Sequence, residues 1–391
     1  MNSLAHANPV GSLLASETIN ATKMTLWLIE NKLAMKRSQG IGSIENTNKR
    51  IVIRIDTDAG ISGYGEAAPW PVFSGTTENT WNTLSNYFWP LLKGQNVFDI
   101  PKTIKRLKQT VVGNSEARAA IEMALYDIVG KASGLPIYQL LGGKVRDSIP
   151  FSFSLANPDL EADLRLAKSM YEEGSRIFKI KTGFVPDHRD DVKRVAKIRS
   201  TLPDDVDLRI DYNQGLQAFG AVAKLKEMEQ FGLTFIEQPL KATDLEGMAE
   251  LTRRIDTPIL ADESVFDPYA AMTGVQKRIG DAFSIKIMKS GGFVDAQKIA
   301  AIAEIANIPC YGGTLFEGAI ALNAGAHLIA ATENISLGCE FYMPKYVFSP
   351  EELEAEVNIV NGTVIPPSGA GLGLAIDEDV LGRTAVNTMS L

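Results

Sequence analysis

Cysteine and histidine are scarce in this chain, with 2 and 3 copies among 391 residues. Cys310 and Cys339 stand far apart and in no CxxC arrangement, which argues against a disulfide framework or a zinc ribbon. Both read as small core hydrophobes. His6, His188 and His327 form no HxH or HExxH pattern, so a histidine-built zinc site is not expected. No basic run is present and the formal net charge is −8. That speaks against nucleic acid or an anionic membrane surface as a partner. No segment approaches the ~20 apolar residues of a membrane span. The first residues, MNSLAHANPVGSLLASETIN, lack the basic start and sustained apolar stretch of a signal peptide, and the expectation is a cytoplasmic protein. GAGLGLA near the end lacks the GxGxxG spacing and follows no βαβ entry, so it reads as a turn and not as a nucleotide fingerprint.

The apolar (45%) and charged (22%) fractions are ordinary for a globular protein, but the chain is long for a single core. Four stretches differ in texture. Residues 1–23 read as a flexible lead-in. Residues 24–147 read as an α+β unit, with Ile51, Ile53 and Ile55 alternating before the turn at Asp58-Ala59-Gly60. Ala120, Met123, Ala124, Asp127 and Ile128 follow at helical spacing until Gly142-Gly143. From 148 to 345 short apolar strands alternate with amphipathic helices: PFSFS, IFKIK, DLRIDYN, FIEQP, PILADES, AFSIKIM, PCYGGT and SLGCEF. This predicts a parallel sheet closed as a barrel. Residues 346–391, rich in Gly and Pro, are expected to return to the first unit.

The stretch FKIKT poses a chemical question. Lys179 and Lys181 are two apart, so on a strand they share a face, and buried unpaired ammonium groups are costly. In barrels of this kind, polar residues at strand C-terminal ends build the active site. Those ends carry Lys179 and Lys181, Asp211 and Asn213, Glu237, Asp262 and Glu263, Lys286 and Lys289, Thr314 and Glu317, and Glu340. One such residue alone is ordinarily a helix cap or a solvated loop residue. Here carboxylates end three successive strands, at steps of about 25 residues, the size of one βα unit. Three carboxylates converging on the barrel mouth repel unless a cation lies between them. Hard oxygen donors without histidine or cysteine point to Mg²⁺ or Mn²⁺. Lys181 and Lys286 lie on strands on either side of the carboxylates. They are placed to flank a small carboxylate substrate, and crowding by other cations is expected to lower their pKa toward use as bases.

The ordered set KIK, DYNQ, FIEQP, LADES and IKIMKSGG resembles the muconate lactonizing enzymes of the enolase superfamily, in the mandelate racemase/muconate lactonizing enzyme family. The likeness extends through GYGEAAPWPVFSGTTENT and ALYDIVGKASGLPIYQLLGG, which look like the family's capping domain. It implies a modified (β/α)7β TIM-type barrel, an α/β fold with an N-terminal α+β capping domain completed by the C-terminal segment. It implies Asp211, Glu237 and Asp262 as ligands of Mg²⁺ or Mn²⁺, with Lys181 and Lys286 as the acid/base pair. Lys179, Asn213, Glu263 and Glu317 would bind substrate or support the ligands. The implied activity is a cycloisomerization of an unsaturated dicarboxylate through an enediolate, with a racemase or epimerase of an N-acyl amino acid or dipeptide as the alternative. A homo-oligomer, dimer or octamer, is implied as well. The family's dipeptide epimerases carry a DxD motif at the end of the barrel to hold the substrate amine. Here the region reads GCEFYMPK, which disfavours dipeptides. Trp70, Phe73 and the segment KRSQGIGSIENTNK are expected to form a flexible lid over the site.

Overall fold

The computed structural model describes residues 18–391, so most of the expected lead-in lies outside the described residues. Five strands come first: β1 Ala21–Lys32, β2 Arg37–Gln39, β3 Gly42–Ile44, β4 Thr47–Thr57 and β5 Ser62–Ala67. The first begins inside the range read as lead-in, because Ala21 is fully buried and pairs with Thr57. After the helices of the capping unit come β6 Ile149–Pro150, β7 Ser152–Leu155, β8 Ile177–Lys181, β9 Asp207–Asp211, β10 Ile236–Glu237, β11 Ile259–Ala261, β12 Ala282–Ile285 and β13 Cys310–Gly312. The chain ends with β14 Ile359–Val360, β15 Thr363–Val364 and β16 Ala385–Ser390.

The capping sheet runs β16-β1-β4-β5. The C-terminal strand is therefore an integral edge of the N-terminal sheet, with Thr25 opposite Ser390 and Leu28 opposite Asn387. Ile51, Ile53 and Ile55 pack on one face against Ala117, Ala120, Ala124 and Ile128 of the helix Ser115–Ser133. The other face of β4 is not solvated either, since Arg50 and Val52 are fully buried. Arg50 closes a network between units: its Nη2 lies 2.5 Å from Glu354 Oε2, its Nη1 3.5 Å from Glu66 Oε1, and its Nε donates to Asn31 Oδ1 at 2.6 Å. Glu66 also accepts from the Gly318 and Ala321 amides at 2.5 and 3.0 Å, at the start of the helix Ala319–Ala330. A carboxylate at a helix N-terminus satisfies orphan amides and meets the positive end of the dipole.

Strands β7 to β13 form one parallel sheet in sequential order. The expected eighth strand, SLGCEF, contracts to single-residue bridges from Cys339 to Phe151 and to Gly312, both parallel. Its backbone nevertheless serves both neighbours. Ser152 N donates to Cys339 O at 2.7 Å and Cys339 N to Pro150 O at 2.9 Å on one side. Gly312 N donates to Gly338 O at 2.9 Å and Glu340 N to Gly312 O at 3.1 Å on the other, which closes the ring. Closure buries every strand on both faces, so alternation inside the barrel separates outward apolar residues from inward polar ones. In β8, Phe178 and Ile180 enter the apolar core while Lys179 and Lys181 occupy the alternate face. His327, Cys310 and Cys339 are all buried, and the two cysteines are free. Among the described residues no helix is long and apolar enough to cross a membrane.

Candidate active site

The C-terminal ends of β8, β9, β10, β11 and β12 bring the singled-out charges to one end of the barrel. In-register pairing sets Lys181 beside Asp211, and Asp211 beside Glu237. Asp262 follows β11 directly and Lys286 follows β12. A small cavity of about 20 Å³, room for about one water molecule, opens there, with Lys181 and Lys286 both in its wall. Asn213 adopts the left-handed φ of 41°, a conformation that asparagine tolerates better than most residues. Its side chain accepts from Lys181 Nζ at 3.0 Å and donates to Glu263 Oε1 at 3.1 Å. At Gly313 a Cβ would stand 2.6 Å from Lys286 Cε, so the absent side chain makes room for that lysine.

Each lysine answers a carboxylate. Lys181 pairs with Asp211, and Lys286 Nζ lies 2.5 Å from Asp262 Oδ2. Lys289 donates to Asp262 Oδ1 and to the Asp262 carbonyl, both at 2.7 Å. Lys179 is fully buried behind the cavity, 2.7 Å from Glu237 and 2.8 Å from Glu340, and does not line it. The two ammonium groups of FKIK are thus partners of a buried acidic cluster, and the strand can bury them because the cluster neutralises them.

The electrostatics are divided. Burial pushes Glu237 up to about 8, with help from Asp211, and burial with Asp262 lifts Glu263 to about 7. Burial opposes charge on Asp262 as well, but Lys286 and Lys289 hold it well below the usual carboxylate range. The sequence reading expects cation crowding to lower the lysines. Lys286 goes the other way: burial works against its charge, but Asp262 and Glu263 are its nearest charges and hold it above its ordinary value. Lys289 is lowered, by burial first.

The oxygens Glu237 Oε1 and Glu263 Oε2 are buried without a hydrogen-bond partner. Unsatisfied carboxylate oxygens beside further carboxylates are what a hard divalent cation satisfies, so the donor set fits Mg²⁺ chemistry. Among the described residues no three acidic, histidine or cysteine side chains are already gathered as a metal site. Ammonium groups stand on Asp211 and Asp262 instead, so a cation would have to displace them.

The lid differs from expectation in form. KRSQGIGSIENTNK holds a paired hairpin, β2 with β3, in which Arg37 faces Ile44 and Gln39 faces Gly42. At its turn, a Cβ on Gly40 would stand 1.9 Å from Tyr212 O, which shows how closely the capping unit approaches the end of β9. Gln39, Trp70 and Phe73 line the cavity, with the Phe73 ring 4.5 Å from Lys286 Nζ. Glu317 lies beneath this wall, bonded to the Thr314 hydroxyl and to Leu315 N at 2.5 Å, and the cavity is lined by Thr314, Leu315 and Phe316 in its stead. Tyr342 lines the cavity without being singled out from the sequence, whereas Gln39 belongs to the segment expected as the lid.

Glu116, not singled out from the sequence, is buried beside Ser74 of the loop that carries Trp70 and Phe73. It accepts from the Ser74 hydroxyl, and its Oε2 has no partner. Burial lifts its pKa from 4.5 to about 8. The native state therefore keeps a proton that the unfolded chain has released. The resulting stability is complete below about pH 4.5 and lost as pH rises through about 8. A Glu116→Gln variant has no such charge to bury. Relative to the parent it is expected to be more stable at pH 9 than at pH 5, by on the order of 2–4 kcal/mol. Thermal melts of both proteins at the two pH values measure this; parallel curves would contradict it.

Residues 28–142 match the family model for the mandelate racemase / muconate lactonizing enzyme N-terminal domain, and residues 162–380 match the enolase C-terminal domain-like model. The solved structure of a muconate cycloisomerase from Azorhizobium caulinodans superposes with a TM-score of 0.82 at 43% identity, over 95% of this chain and 99% of that one. An L-Ala-D/L-Glu epimerase from Clostridium acetobutylicum is 34% identical over 89% of this chain and 94% of its own length. A dipeptide epimerase from Cytophaga hutchinsonii, solved with Mg and the dipeptide D-Ala-L-Val, gives a TM-score of 0.88 at 27% identity, over 95% of this chain and 99% of that one. With its capping sheet, its barrel and both domain models matched in order, the chain belongs to the mandelate racemase/muconate lactonizing enzyme family of the enolase superfamily.

Proposed function

We propose that this protein is a divalent-metal-dependent isomerase, a cycloisomerase that lactonizes an unsaturated dicarboxylate. The observation that carries the reading is the placement of Lys181 and Lys286 in the wall of one cavity, at the ends of strands that bracket those carrying Asp211, Glu237 and Asp262. Those three carboxylates would hold the cation, and Mg²⁺ is the ion found with the Cytophaga hutchinsonii epimerase. Bound there, a cation stabilises negative charge developing on a substrate carboxylate. The far carboxylate of the substrate adds through oxygen to the alkene and forms the ring C–O bond. The π electrons move to the carbon α to the near carboxylate. Lys181, as the ammonium, delivers a proton to that carbon, and Lys286 stabilises the opposite face. Nothing is oxidised or reduced. Lys179, Asn213 and Glu263 orient the carboxylates and Lys181 through the hydrogen bonds described above. The lack of a DxD pair in GCEFYMPK and the likeness to the Azorhizobium caulinodans enzyme support this over dipeptide chemistry.

Two lysines lining one cavity also suit a second reading, racemization or epimerization of an N-acyl amino acid, in which one base removes the α-proton and the other returns it. cis,cis-Muconate offered to chelator-treated protein is expected to remain unchanged, and to form a lactone once Mg²⁺ is restored. Consumption is followed by ultraviolet absorbance. Turnover equally fast without the cation would refute the metal dependence, and an inert muconate alongside a racemized N-succinyl amino acid would favour the second reading.

A further inference from the structure

Arg37, on the capping hairpin, is 1% exposed and makes no ion pair within 4.0 Å among the described residues. Its Nη2 donates to Ser154 O at 2.7 Å and to Tyr342 Oη at 2.9 Å, and its guanidinium lies 5.0 Å from the Tyr342 ring centre. Its Nε is buried with no hydrogen-bond partner. The acid nearest in charge, Asp163, is bonded to Arg194 and to the Asn157 amide. A buried cation without a carboxylate partner is costly, and positions of that kind concentrate at functional sites.

Tyr342 connects this cation to the cavity. It is 5% exposed and lines the cavity together with Gln39, Lys181 and Lys286. Because its oxygen accepts from Arg37, its own proton is left to donate, and the guanidinium polarises it as a donor. Trp70, Phe73, Leu315 and Phe316 supply the apolar part of the cavity's lining. The Tyr342 hydroxyl therefore offers the cavity a hydrogen-bond donor backed by a buried positive charge, in a medium of low dielectric where that charge acts strongly.

Building on the reading that the lysine-flanked end takes the reacting carboxylate, we propose that Tyr342 binds a second carboxylate at the other end of the substrate. Arg37 acts as the positioning residue behind it, and Gln39 adds an amide donor. This selects dicarboxylates and N-acyl chains ending in a carboxylate. A free amine at that end would meet the Arg37 charge and be rejected, a repulsive element of the kind specificity requires.

The test uses saturated probes that cannot cyclize: adipate and its monomethyl ester, titrated by calorimetry into Mg²⁺-loaded enzyme. Adipate is expected to bind about tenfold more tightly than the ester, as a lost hydrogen bond to a charged group implies. Tyr342→Phe, which keeps the ring, is expected to remove that preference and leave the ester unchanged. Arg37→Lys is expected to reduce it in part. Equal binding of the two probes, absence of binding, or an equal loss for both in Tyr342→Phe overturns the inference. A preserved adipate preference in a protein that turns over no muconate or N-acyl amino acid would refute the proposed chemistry alone.

Discussion

Lys181→Ala is expected to lower turnover by about 10²- to 10⁴-fold, the range of a positioned acid/base. The fold is expected to persist, because the side chain sits at the rim of the barrel and Phe178 and Ile180, on the same strand, hold the core. The variant leaves Asp211 without its ammonium partner, although Asn213 N still donates to Asp211 Oδ1 at 2.8 Å. Mg²⁺ binding, measured by calorimetry, is therefore expected to survive or strengthen, since the cation no longer competes with Lys181 for that oxygen. Loss of turnover with intact metal binding separates an acid/base role from a structural one. Substantial residual activity would remove Lys181 from the mechanism.

The second large effect lies outside the cavity. Arg50→Met is expected to cost ~3–5 kcal/mol, the usual penalty for removing one partner of a buried ion pair. Both Glu66 and Glu354 would be stranded, each with a side chain fully removed from solvent. These groups join β4, β5 and the segment before β14 to the helix that follows the Thr314–Glu317 loop, so the damage reaches the site wall as well as the sheet. Denaturant unfolding measures the loss. Adding Glu354→Gln to Arg50→Met is expected to recover part of it, because the two changes act within one network. A single variant as stable as the parent would show that the network is dispensable.

The barrel was legible because its strands are short, its helices amphipathic and its charges confined to strand ends. Asp211, Glu237, Asp262, Lys181 and Lys286 could be picked out for that reason: buried strands seldom carry charge. The eighth strand was misjudged in length, since apolar texture in SLGCEF does not reveal that only Leu337 to Glu340 reach the neighbouring backbones. The pairing of Arg37 with Tyr342 was not legible, although Arg37 lies in the segment expected as the lid. They meet only through the tertiary approach of the hairpin to the barrel, 305 positions apart in the chain. Glu116 sits in a helical stretch whose burial depends on the loop folding over it. The lowering of Lys286 was expected from cations nearby, but its distances favour carboxylates.

Deuterium incorporation addresses the central claim most directly: muconolactone, cis,cis-muconate and N-succinyl amino acids incubated with the Mg²⁺-loaded protein in D₂O and followed by proton NMR. The expected result is deuterium entering at the carbon α to the carboxylate of the lactone, at a rate that collapses in Lys181→Ala. A protein that binds Mg²⁺ and these carboxylates yet leaves every α-proton in place would contradict the account.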